Sequence, residues 1–163
     1  MSLVTDKAFV AAILSNTELI AKLPAKSVYN TSIAVPDQDL ENAPIPYIIV
    51  SFDGLQNDDS TKDCSYDGET DRVQIGIEIA AKTRTQLGEI AEAVRNTIRS
   101  FFSTYQPPLE ASGEDLTDII PEDYVFSAQG VQYDPDKPCF WQVLTYQCDT
   151  KNIYNEQESE EYI

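Results

Sequence analysis

Histidine is absent from all 163 residues. That removes Ser-His-Asp and Cys-His nucleophilic catalysis, together with histidine-bearing zinc sites. Cysteine is nearly as scarce: Cys64, Cys139 and Cys148 form no CxxC and no even framework. Cys139 and Cys148 flank a predicted strand, too far apart along it for a disulfide, so buried or idle thiols in a reducing compartment are expected. The six glycines are scattered and make neither GxxxxGK[ST] nor GxGxxG, which excludes a phosphate cradle. No run of about 18 apolar residues occurs, and Met1 to Lys7 lacks the basic start and apolar centre of a secretory signal. The expectation is a soluble protein made in a cytoplasm, with no membrane partner.

Basic residues are also few, 11 against 28 acidic, for a net charge of −17. The acids are concentrated. Residues Asp53 to Asp71 carry Asp53, Asp58, Asp59, Asp63, Asp67, Glu69 and Asp71 against Lys62 alone. Residues Glu110 to Asp123 include Glu114, Asp115 and Asp118 and no base, and the tail after Asn152 adds four glutamates. These three segments hold sixteen of the seventeen net negative charges. One reading is solvated loops on a balanced core. The other is a set of surfaces that repel DNA or meet basic partners, with Asp58, Asp59, Asp63, Asp67, Glu69, Glu114, Asp115 and Asp118 as the candidate contacts. Specific nucleic-acid binding is not expected: Arg95 and Arg99 share a helix face, but Glu89 and Glu92 flank them. Neither acidic stretch matches an EF-hand loop, so composition permits only adventitious calcium binding. Glu78 is the one acid inside a strongly patterned strand, expected on a solvated face or paired at an interface. No cofactor and no catalytic group are expected.

At 42% apolar residues the chain has enough to bury for one core. We read a single domain over residues 1–150 and an acidic tail over 151–163. Thr5 is placed to cap a helix through about Asn16, with Phe9, Ile13 and Leu14 at helical spacing and a further turn over Glu18 to Lys22. A short strand is expected from Ser27 to Val35. Tyr47 to Phe52 is apolar on both faces, which suggests a central strand covered on each side. Asp53 to Asp71 reads as a long loop. From Arg72 to Lys82 the alternation is clean, with Val73, Ile75, Ile77, Ile79 and Ala81 on one face. Thr83 and Gln86 have capping-box spacing, and the helix they open runs to about Thr104. Its stripe of Leu87, Ile90, Ala91, Val94, Ile98, Phe101 and Phe102 predicts a helix lying on a sheet. Tyr124 to Tyr133 reads as a strand whose parity changes near Gly130, as a bulge would cause. A turn over Asp134 to Pro138 joins it to a strand from Phe140 to Asp149. Trp141, the only tryptophan, is either second-layer core, the favoured reading, or an exposed anchor. The fold class is α+β: a mostly antiparallel sheet of about four to five strands, an N-terminal helix, and one long helix packed against the sheet.

The succession of these segments resembles the tail-completion, or tail-terminator, proteins of long-tailed bacteriophages and prophages. The resemblance is carried by Pro44-Ile45-Pro46-Tyr47-Ile48-Ile49-Val50-Ser51, then Arg72-Val73-Gln74-Ile75-Gly76-Ile77-Glu78-Ile79, then Ala91 to Ile98, and a closing hairpin with Gly130-Val131 and Trp141-Gln142-Val143. It covers roughly Thr5 to Asp149; the two acidic segments and the acidic tail depart from it. It implies a virion structural subunit of the tail, made in the bacterial host cytoplasm. Such subunits form a homo-oligomeric ring, commonly a hexamer, that ends the tail tube and contributes to head-tail joining. The implied partners are further copies of the chain, the tail tube protein and head-tail connector proteins, with strand edges and loops as expected contacts. The competing reading is an acidic adaptor or inhibitor that binds a basic partner through Asp53 to Asp71. A carboxylate-dependent enzyme would need Glu78 and a second acid to meet in a pocket.

Overall fold

The computed structural model describes residues 5–30, 44–57, 70–105 and 117–152. Helix α1 (Thr5–Ser15) buries Phe9, Ala12 and Ile13. Leu14, expected on that stripe, is 53% exposed, because five residues beyond Phe9 a helical position has turned about 140° from it. Thr5 is not the cap but a buried residue of the first turn. Asn16 breaks the helix and caps α2 (Thr17–Ala21), its side-chain oxygen accepting the Leu19 N–H at 3.2 Å. Its Nδ2 donates to the Thr97 hydroxyl at 2.8 Å and so ties this corner to the long helix.

Strands β1 (Val28–Asn30), β2 (Tyr47–Gln56) and β3 (Thr70–Ala81) follow, then α3 (Arg84–Ser103), β4 (Thr117–Ala128), β5 (Gln132–Asp134) and β6 (Cys139–Asn152). They form one six-stranded sheet in the order β1-β2-β3-β6-β4, with β5 also paired to β6. The class is α+β as expected, but the sheet is larger and mixed, since β1 runs parallel to β2. Sixteen residues separate those two strands, far more than a hairpin needs and enough for a crossover.

Two boundaries differ from the expectation. Of the strand expected over 27–35, Val28–Asn30 is described as β1, and residues 31–35 lie outside the described residues. The acidic segment 53–71 is not loop at its ends: Gly54, Leu55 and Gln56 stay paired with Gln74, Val73 and Arg72 beyond a bulge at Asp53. The ladder hydrogen bonds outweigh the poor strand propensity of Asp and Gly there. Likewise 117–123 belongs to β4, because β6 continues to Asn152 and offers partners to Thr117 through Ile120. The register breaks between Ile120 and Val125, around Pro121, which has no N–H to give the ladder. Near Gly130 an extra residue interrupts the pairing, as the parity change predicted, and splits the expected strand into β4 and β5: three residues lie between Ala128 and Gln132, while two lie between their partners Leu144 and Trp141.

Helices α1 and α3 lie on one sheet face. Val73, Ile75, Ile77, Ile79 and Ala81 all reach 0% exposure beneath them, as the alternation predicted. Leu87, Ile90, Val94, Ile98 and Phe102 line the underside of α3, each contributing roughly 1.5–3 kcal/mol by burial. The helix starts as its sequence indicates: Thr83 Oγ1 accepts the Gln86 N–H at 3.1 Å. Gln86 Oε1 reaches back to the Lys82 N–H at 3.2 Å, one residue earlier than the capping box requires.

At the far end an aromatic cluster closes the core. Phe102 stacks on Tyr124 at 4.3 Å, and Phe9 and Phe126 sit 5.7 and 5.1 Å from the Tyr146 ring. Arg95 lies over Phe126, 4.5 Å from its centroid. The Tyr146 ring is 1% exposed, yet its hydroxyl is buried with no partner. Burial holds that phenol well above its ordinary range. A buried hydroxyl with no hydrogen bond carries a desolvation cost of about 1–3 kcal/mol. Tyr146→Phe is therefore expected to stabilise the fold by about 1 kcal/mol, read as a higher urea midpoint with an unchanged denaturant slope.

Candidate interaction face

The alternation that sends the odd residues of β3 into the core sends Arg72, Gln74, Gly76, Glu78 and Ala80 to the opposite face. Pairing continues each of these as a row across the sheet. Arg72 lies between Gln56 and Asp149, and Gln74 between Gly54 and Gln147. Gly76 lies between Ser51 and Thr145, Glu78 between Ile49 and Val143, and Ala80 between Tyr47 and Trp141. Tyr29 extends the Ile49 row at the β1 edge. No described helix or strand packs over this face.

The face is polar at one end and apolar at the other. At the polar end Arg72 pairs with Asp149 at 3.3 Å, and Gln147 donates to Gln74 at 3.2 Å. Midway, Ser51 Oγ donates to Asp53 Oδ1 at 2.7 Å directly above Gly76. A side chain at Gly76 would run into the Asp53 carboxylate, so glycine lets this pair lie flat on the sheet. At the apolar end Tyr29, Tyr47, Ile49, Trp141 and Val143 are half-buried. The Tyr29 and Tyr47 rings meet edge-on at 6.4 Å, and Lys137 Nζ lies 5.2 Å from the Tyr47 centroid.

Glu78 stands between these ends, half-buried, and no described residue gives it a hydrogen bond or an ion pair. Burial raises its pKa above the ordinary carboxylate value. Tyr47 is pushed up to about 12, first by burial and then by Glu78, Cys139, Asp134 and Tyr29. Burial, and next Asp134, raise the Cys139 thiol. Burial pushes the Cys148 thiol, inside the core, up to about 12. Both cysteines are free and buried, as expected; Cys64 lies outside the described residues.

Asp58, Asp59, Asp63, Asp67, Glu69, Glu114 and Asp115 lie outside the described residues. Asp118 is not in a loop but in β4, opposite Lys151 of β6. Trp141 is half-buried on the uncovered face, paired with Ala80 and Gln132. Sequence reasoning did not select Tyr29, Tyr47, Ile49 and Val143. For Tyr47 and Ile49 the signal was the run Tyr47 to Phe52, apolar on both faces, which was read as covered on each side; among the described residues only one side is covered.

This arrangement of flat apolar surface, an aromatic edge and one carboxylate suits a protein partner. No family model matches the sequence, and no curated protein does. A solved structure does match. It is a chain from the virion of a native gene transfer agent particle, with a TM-score of 0.52 at 14% identity over 90% of this chain and 94% of that one. The fold is shared with that virion component. Identity this low carries the architecture and leaves the residues of the face to be argued on their own chemistry. Among the described residues no helix is long and apolar enough to cross a membrane.

The raised pKa of Glu78 has a definite sign. The folded state holds this proton more tightly than the unfolded chain, so its stabilising contribution is complete below the ordinary value near 4.5 and is lost as pH rises through the raised value. Urea unfolding of wild type and Glu78→Gln in a pH series rising from 4.5 isolates the effect. The variant is expected to gain stability relative to wild type as pH rises.

Proposed function

We propose that this chain is a non-enzymatic structural subunit of a phage or phage-like particle, forming a ring that terminates the tail tube and contributes to head-tail joining. The observation that carries this reading is the match, over nine-tenths of both chains, to a component of a gene transfer agent virion. The order of sequence segments that resembles tail-completion proteins agrees with it. The fold supplies a physical reason for assembly, because one sheet face is packed by helices and the other presents half-buried Tyr, Ile, Trp and Val to a partner.

The charge distribution fits a conduit for DNA. Acidic segments on a near-neutral core repel phosphates and let a duplex pass without sticking. In this reading the partners are further copies of the chain, the tail tube protein and the head-tail connector, and the chain works in the virion tail. Its carboxylates set surface potential and contacts rather than chemistry.

Light scattering across a concentration series at low and high salt, paired with negative-stain imaging, tests the ring. A closed oligomer, growing as salt screens the acidic segments, is the expected result. A chain that stays monomeric throughout, and adds no density to the end of a tail tube, would overturn it.

A further inference from the structure

Glu78 places a limit on what covers the uncovered face. The carboxylate sits mid-sheet between Ile49 and Val143, with Tyr47 and Trp141 on the neighbouring row. The cations within reach on the same face are committed: Arg72 to Asp149, and Lys137 over the Tyr47 ring. Apolar cover alone would strip Glu78 of water and leave it unpaired, which is costly for an ionised group. A two-fold contact of this face with itself fails for the same reason, since it brings two such carboxylates together in a dry layer. The raised Glu78 pKa shows that partial burial already acts on the group. A heterologous contact whose incoming surface carries a cation among apolar groups satisfies Glu78 where apolar cover or a two-fold centred on it does not.

The chain carries such a surface. Lys22-Leu23-Pro24-Ala25-Lys26 joins α2 to β1, with no carboxylate between Glu18 and Asp37. Both lysines are exposed, and neither is paired with a described residue. Lys26 holds a left-handed backbone at φ 57°, the one non-glycine residue to do so among those described. Strained conformations of this kind concentrate at binding segments. The turn leads into β1, the strand that ends the described sheet on that side. The arginines of α3 fit less well: Glu89 and Glu92 interleave with them, and Arg95 is held against Phe126.

Building on the ring reading, we infer that the uncovered sheet face docks a second copy of this chain, which sets a lysine of its 22–26 turn against Glu78. Each copy then offers a face on one side and a turn on the other, the head-to-tail pattern that closes into a ring.

A zero-length carbodiimide, which joins carboxylates to amines, tests the pair on the unaltered protein. In a mixture of isotope-heavy and light chains, heavy-light linkage of Glu78 to Lys22 or Lys26 is expected. Glu78→Lys is expected to weaken assembly by about tenfold or more, and adding Lys22→Glu with Lys26→Glu to restore it. Thermal unfolding of each variant shows that the chain still folds. An oligomer indifferent to Glu78→Lys, or heavy-light links that all avoid Glu78, would overturn this docking and leave the ring reading intact. A chain that never self-associates would overturn both.

Discussion

Burial of Val73, Ile75, Ile77, Ile79 and Ala81 along β3 positions the other elements of this chain. The strand pairs along its length with β2 on one side and β6 on the other, so its register sets theirs. A slip of one residue would carry all five side chains to the wrong face and expose Arg72 and Glu78 to α3. The helix responds to the same constraint. Its stripe of Leu87, Ile90, Val94, Ile98 and Phe102 has a layer to sit on only because β3 presents one. The aromatic cluster around Tyr146 then fixes the far end, where Phe9 from α1 meets Phe102 from α3.

The opposite face follows from the same alternation. Once the core residues are placed, the remaining positions of β2, β3 and β6 fall into rows whose chemistry changes from charged pairs to aromatics along the strand axis. Glu78 lies where the two regimes meet. It is half-buried, and no described residue gives it a hydrogen bond or an ion pair.

Long periodic segments were legible in the sequence. The core face of β3, the stripe and N-cap of α3, the hairpin turn and the bulge before β5 each carry a period or a cap that a single sequence displays. Features that depend on a distant partner were not. Gly54 to Gln56 and Thr117 to Asp123 look like acidic loop because their strand character comes from β3 and β6. The parallel placement of β1 depends on a crossover, which composition does not encode. The candidate face was half-legible. The two-sided apolar run of β2 was visible, yet whether its second side meets the same chain or another one is a question of assembly. The charged candidates were chosen by density of carboxylates, and all but Asp118 lie outside the described residues, while Glu78 lies on the uncovered face.

The edges of the sheet carry a further consequence. Among the described residues the sheet ends on one side in β1, three residues long, and on the other in β4, interrupted at Pro121 and shifted in register before Val125. Short and broken edges are poor templates for adding another strand. A chain held at high concentration is exposed to runaway strand-on-strand polymerisation into fibres. The described part of this sheet has little straight edge to offer such growth.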